Sequence, residues 1–98
     1  MATYLMLGSF TEQGIKNIKD TTERAASFQA LAKKSGVEVR DIYWTMGPYD
    51  VMVMLEASDE ETVNALMLKA GTLGNIRTTM LRAYSAAEMK KVLAKMPD

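Results

Sequence analysis

Tyr43-Trp44-Thr45-Met46-Gly47-Pro48-Tyr49-Asp50-Val51-Met52 is the stretch that decides the fold. Aromatic and apolar residues run up to Gly47-Pro48 and resume after it, the pattern of two antiparallel strands joined by a tight turn. Pairing Met46 with Tyr49 sets Trp44 opposite Val51 and Tyr43 opposite Met52. Strand side chains alternate between faces, so Ile42, Trp44, Val51, Val53 and Leu55 form one bulky, branched face suited to receive helices. Tyr43, Thr45, Asp50, Met52 and Met54 form the other. A slip of one residue would exchange the two sets.

Outward from the hairpin, Tyr4 to Leu7 and Val51 to Leu55 are apolar on both faces, as strands in the middle of a sheet are. Val37 to Met46 and Ile76 to Tyr84 carry Glu38, Arg40, Asp41, Arg77 and Arg82, charges that discourage unwanted pairing at sheet edges. Between the first two strands, Thr11 to Lys19 is a short helical segment interrupted by Gly14. Asp20 with Glu23 then opens a helix with Ala25, Phe28, Leu31 and Ala32 on one face, stopped at Gly36. Ser58-Asp59-Glu60-Glu61 starts a second helix with the stripe Val63, Leu66, Met67 and Ala70, ending at Gly71. Ser85-Ala86-Ala87-Glu88 starts a third, with Met89, Val92, Leu93 and Met96. The order is strand, helix, strand, strand, helix, strand, helix: two right-handed β-α-β crossovers linked by a hairpin. This predicts one α+β domain over residues 1–98, a ferredoxin-like β-α-β-β-α-β fold with a four-stranded antiparallel sheet and an extra C-terminal helix.

Both crossovers pack on the same sheet face, which leaves the second face, with its Met and Tyr side chains, open in a single chain. An apolar patch of that kind marks an interaction surface, and pairing with a second copy hides it most simply. A homodimer or an assembly of dimers is therefore expected.

Composition narrows the chemistry. Among 98 residues there is no Cys and no His, which removes disulfides, thiolate nucleophiles, imidazole bases, Ser-His triads and nearly every zinc arrangement. No metal site and no cofactor are expected. Twelve Lys and Arg balance twelve Asp and Glu and are scattered along the chain, so nucleic acid is not an expected partner. No apolar run approaches the ~18 residues of a membrane helix, and Met1 to Leu7 is too short for a signal-peptide core. A cytoplasmic protein that does not enter membranes is expected.

Gly47, Tyr49 and Asp50, after a Tyr-Trp strand and before an apolar one, resemble the signature of the GYD-domain family. Phe10-Thr11-Glu12-Gln13-Gly14-Ile15-Lys16 and Leu73-Gly74-Asn75-Ile76-Arg77 are similar to that family as well. The resemblance implies a dimeric α+β barrel, related in architecture to the ligand-binding modules of Lrp/AsnC regulators and to small cofactor-free monooxygenases. It carries no established activity.

Two readings of the turn stand side by side. In one, Gly47 and Pro48 set the backbone, Tyr49 packs, and Asp50 accepts hydrogen bonds from backbone donors near the turn. In the other, Asp50 lies at the mouth of a pocket beside Tyr43 and Thr45, where burial raises its pKa enough for proton transfer. Tyr43, Thr45, Tyr49, Asp50 and Met52 are accordingly the ligand-binding candidates, and no catalytic residue is assigned. Most of the nine Met residues fall at core-pattern positions and read as core filling. Two function classes follow. The first is a non-catalytic oligomeric module that binds a small molecule or a protein. The alternative is a cofactor-free monooxygenase or isomerase using a pocket between helices and sheet.

Overall fold

The computed structural model describes residues 1–98 as β1 (Ala2–Phe10), α1 (Glu12–Lys16), α2 (Thr21–Lys34), β2 (Glu38–Trp44), β3 (Val51–Ala57), α3 (Glu60–Thr72), β4 (Ile76–Ala83) and α4 (Ala86–Ala94). The four strands form one antiparallel sheet in the order β2-β3-β1-β4, the ferredoxin-like arrangement. The two strands that are apolar on both faces are central, and the charged ones are the edges. Trp44 faces Val51 and Tyr43 faces Met52, as the hairpin reading requires. The ladder stops there. Thr45 N–H donates to the Asp50 carbonyl (2.9 Å) and the Thr45 hydroxyl to the Tyr49 carbonyl (2.6 Å), so Met46 to Tyr49 close a loop instead of forming a last strand pair. Gly47 takes φ +107°, a conformation that side chains disfavour.

Burial follows the alternation. In β3, Val51, Val53, Leu55 and Ala57 are buried, while Met52, Met54 and Glu56 are only half-buried. The buried set meets Tyr4 and Met6 of β1, Ala32 of α2, and Val63, Leu66 and Met67 of α3 in one core. Helices α2 and α3 thus lie on one side of the sheet. On the other, register brings Leu5 beside Met54 and Leu81, and Leu7 beside Met52, with Tyr43 completing the row. No helix covers this face.

The helix caps form one residue away from expectation in one case and without a side chain in another. Asp59, not Ser58, caps α3 by accepting from Thr62 N–H at 2.7 Å. Asp20 makes no side-chain cap for α2, because the preceding residues wind into a 3-10 turn, Ile18–Asp20, that leads straight into the helix. Gly36, at φ +80°, ends α2, and α3 runs one residue past Gly71 to Thr72. The Ser85–Glu88 capping box forms as read. A bulge at Arg40, between Val39 and Asp41, twists the β2 edge. The molecule is elongated, 52 × 31 × 19 Å, with a radius of gyration of 14.9 Å against about 12.6 Å for a compact chain of this length.

Leu55 has no exposed surface, so Leu55→Ala is expected to lower the free energy of urea unfolding by about 2–5 kcal/mol. Met52→Lys, on the open face, is expected to keep the secondary structure by circular dichroism. A loss as large as that of Leu55→Ala would reverse the assignment of faces. Hydrogen bonds from Thr62 N–H hold the Asp59 carboxyl below its usual 3.8, and those from Ser85 N–H, then Arg82, hold Glu88 below 4.5. Both pKa values are lower folded than unfolded. Their stabilisation is complete above the ordinary values and is lost as pH falls through the lowered ones. The starts of α3 and α4 should fray in acid, seen as coupled titration of the Thr62 and Ser85 amide resonances below pH 4.5.

Candidate functional site

The three stretches that carry the family resemblance are far apart in sequence and meet at one end of the sheet, where β1 finishes. Asp50 N–H donates to the Gly8 carbonyl at 2.8 Å, and the Asp50 carboxylate accepts from Phe10 N–H at 2.8 Å. The hairpin is thereby clamped to the end of β1 by a charge-assisted bond. From the other side, Thr11 N–H donates to the Asn75 carbonyl (3.1 Å) and the Thr11 hydroxyl to the Gly74 carbonyl (2.5 Å). The same hydroxyl accepts from Gly14 N–H, capping α1. Gln13 Nε2 donates to the Leu73 carbonyl and to Asn75 Oδ1, both at 3.0 Å. Gly14 is buried so closely against this loop that a Cβ would run into the Asn75 carbonyl oxygen, which accounts for glycine inside a helix.

Beside this junction lies a cleft of about 620 Å³ between α2 and the covered face of the sheet. Met6, Phe28, Leu31, Ile42 and Val53 line its apolar interior. Phe10, Asp20, Thr21, Glu23, Arg24, Trp44, Asn75 and Ile76 line it toward the junction, and Ala70 of α3 and Leu73 just beyond it close another side. Trp44 Nε1 donates to the Thr21 hydroxyl at 3.0 Å, joining β2 to the start of α2. Arg24 donates to the Asn17 carbonyl (2.6 Å) and the Gly14 carbonyl (3.2 Å), with its guanidinium 5.8 Å from the centre of the Phe10 ring. Its hydrogen-bonding capacity goes into holding the α1 segment in place. No group of three acidic side chains converges anywhere that could ligate a metal ion.

The five ligand-binding candidates stand together at the hairpin but outside this cleft. Tyr43 and Met52 are cross-strand neighbours on the open face, Thr45 and Tyr49 close the loop beyond Gly47 and Pro48, and Asp50 faces the backbone of β1. None of the five lines the cleft. The donor to Asp50 lies on β1, 40 residues away, and not in the turn. Sequence reading assigned no site role to Phe10, Thr21 or Arg24. The helix-face parity of Ile42, Trp44, Val51 and Val53 and the stripe with Phe28 and Leu31 pointed toward the cleft, whereas Arg24 binds backbone carbonyls that leave no trace in periodicity. Trp44 is nonetheless 44% exposed, because it sits on the rim of the cleft and not under a helix.

Asp50→Asn keeps an acceptor oxygen but gives up its charge, so a loss of about 1–2 kcal/mol is expected from urea unfolding. Asp50→Ala leaves Phe10 N–H unpaired and should cost more. Gly14→Ala must push α1 away from Asn75, with an expected loss of about 1–3 kcal/mol. Equal stability of Gly14→Ala and the parent would contradict the packing described.

Comparison with known proteins fits this geometry. The family model described as GYD domain matches residues 4–93. The chain is 32% identical over 90 residues to a protein of Thermus thermophilus named glutamine synthetase and cystathionine beta-lyase binding protein, covering 91% of this chain and 95% of that one. Among solved structures, TTHA0845 from Thermus thermophilus superposes with a TM-score of 0.62 at 20% identity, over 88% of this chain and 96% of the other. MtbAldR does so with a TM-score of 0.62 at 14% identity, over 86% of this chain and 53% of its own length. At those identities the two structures speak for the fold alone. With clamp, junction and family model all in register, the chain belongs to the GYD-domain family.

Proposed function

We propose that this protein is a non-catalytic binding module that pairs with a second copy through its open sheet face and holds a metabolic enzyme as its partner. The observation that carries the reading is the full-length relative, 32% identical, whose name states that it binds glutamine synthetase and cystathionine beta-lyase. The chemistry of the chain agrees. The ionisable residues of the cleft lining are Asp20, Glu23 and Arg24, the last hydrogen-bonded to backbone carbonyls, and no His or Cys stands with them as base or nucleophile. Asp50 and the tyrosines lie elsewhere.

Dimerisation draws support from surface area. The chain exposes 6878 Å², roughly 1,300 Å² more than the ~5,600 Å² expected of a 10.9 kDa monomer. A standard protein interface removes about 800 Å² from each partner. Pairing through Leu5, Leu7, Met52, Met54 and Leu81 leaves the clamped end of the sheet free. There Met46 is 97% exposed and Trp44 44%, and Met and Trp are residue types enriched at protein contacts.

The test is titration calorimetry of the protein with the glutamine synthetase and the cystathionine beta-lyase of its own organism. Saturable binding to at least one is expected, with Met46→Glu weakening it about tenfold or more and leaving the fold intact. Absence of heat and of co-sedimentation with either enzyme would contradict this choice of partner.

A further inference from the structure

The two crossover helices meet the sheet differently. The stripe of α3 is packed down, with Val63, Leu66 and Met67 only 2, 3 and 4% exposed. In α2 only Ala32 is buried, and Ala25, Phe28 and Leu31 stay half-buried above the cleft of about 620 Å³. Protein interiors hold few voids larger than a water molecule, so a gap of this size between two apolar walls is not ordinary packing. Hydrogen bonds brace its walls. Trp44 and Thr21 tie the start of α2 to the rim of β2, and Arg24 ties the same turn to the α1 segment through the Asn17 and Gly14 carbonyls.

We propose that this cleft binds a neutral, mostly hydrocarbon aromatic molecule, its ring system between α2 and the sheet and a hydroxyl at the rim. The chain has two Phe and one Trp, and all three, Phe10, Phe28 and Trp44, line the cleft. None of them is buried in the core, so their ring surfaces remain to be covered. Aromatic rings that meet edge-to-face or offset attract beyond the area they bury. Clefts of roughly 300–1,000 Å³ with apolar and aromatic walls and a few polar groups are the usual form of a small-molecule site. This one lies on the helix side of the sheet, away from the proposed seam between copies, and needs neither the second copy nor the enzyme partner.

The lining also selects the charge. Below the rim, Met6, Leu31, Ile42 and Val53 offer no hydrogen-bonding side chain, so a polar group placed there would leave water without gaining a partner. The rim carries both signs. Asp20 and Glu23 have no ion pair within the chain, and Arg24 stands with them, its guanidinium beside the Phe10 ring. An anion would meet the two carboxylates and a cation the guanidinium, and like charges brought together are unfavourable. A neutral hydroxyl can donate to either carboxylate with no net charge to take out of water.

The probe is 2-naphthol, followed by calorimetry and by the methyl resonances of the methionines. Saturable one-to-one binding is expected, shifting Met6, which lines the cleft, and leaving Met52 and Met54 of the open face unmoved. Decahydro-2-naphthol, which keeps the skeleton and loses the π-system, is expected to bind about three- to tenfold more weakly. The anion 2-naphthoate and the cation 2-naphthylmethylamine are expected to bind more weakly than the naphthol as well. Ala25→Trp, which fills the cleft from α2, is expected to abolish binding. Phe28→Leu keeps an apolar wall but removes a ring, and is expected to weaken binding about three- to tenfold with circular dichroism unchanged. No saturable heat up to the solubility limit, shifts at Met52 and Met54 in place of Met6, or unchanged affinity in Phe28→Leu overturns the site. Equal affinity for the decahydro compound, or tighter binding of either charged analogue, overturns the class of ligand.

Discussion

Everything in this structure depends on the register of β3 against β1, and Asp50 is the residue that locks it. Its N–H and its carboxylate grip the end of the β1 ladder at Gly8 and Phe10, so that Val51 falls opposite Gly8 and every second residue of β3 turns toward the helices. A slip of one position would send Val51, Val53 and Leu55 to the open side and bring Met52, Met54 and Glu56 under the helices. Glu56 would then need a buried partner, at a cost of several kcal/mol. Gly8 serves the same register. A Cβ there would press on the side chains of Ile76 and Val51, which close over the backbone at that point.

The clamp also ties together the three stretches that carry the family resemblance. Asp50 holds Phe10, Phe10 leads into Thr11, and Thr11 and Gln13 hold Gly74, Leu73 and Asn75. Each hydrogen bond joins segments distant in sequence, so the end of the sheet behaves as one interlocked junction and not as three loops. At the opposite end, where β4 runs out through Tyr84 into α4, Arg82 makes the cross-links, donating to the Thr3 carbonyl and to Glu88 Oε2, both at 3.2 Å. The molecule is therefore cross-linked at the loop end of the sheet, while α4 projects from the other end with no buried residue.

Much of this was legible in the sequence, because alternation and helical spacing are local signals. The pairs Trp44–Val51 and Tyr43–Met52 follow from the position of Gly47-Pro48, and the central place of β1 and β3 follows from their two-sided apolar pattern. What stayed hidden is a matter of distance and of backbone. The bond between Phe10 and Asp50 spans 40 residues, and Arg24 binds carbonyls, which every residue possesses. The Ser58 cap shifts to Asp59 because adjacent oxygen-bearing residues compete for the same N–H groups, and the competition is settled by the turn that leads out of β3. Trp44 shows that parity gives a side but not a depth: it lies on the helix side of the sheet yet only at the rim of the cleft.

The central claim is that the open sheet face is closed by a second copy, and the chain's methionines are well placed to report on it. Their methyl groups can be followed by NMR in the presence of a soluble paramagnetic agent. Met6 and Met67, each 4% exposed, set the protected limit, and Met46, 97% exposed, sets the unprotected one. Protection of Met52 and Met54 close to that of Met6 is the predicted result. Broadening of Met52 and Met54 well beyond that of Met6, toward the level of Met46, would show that the face stands open to solvent and would contradict the account.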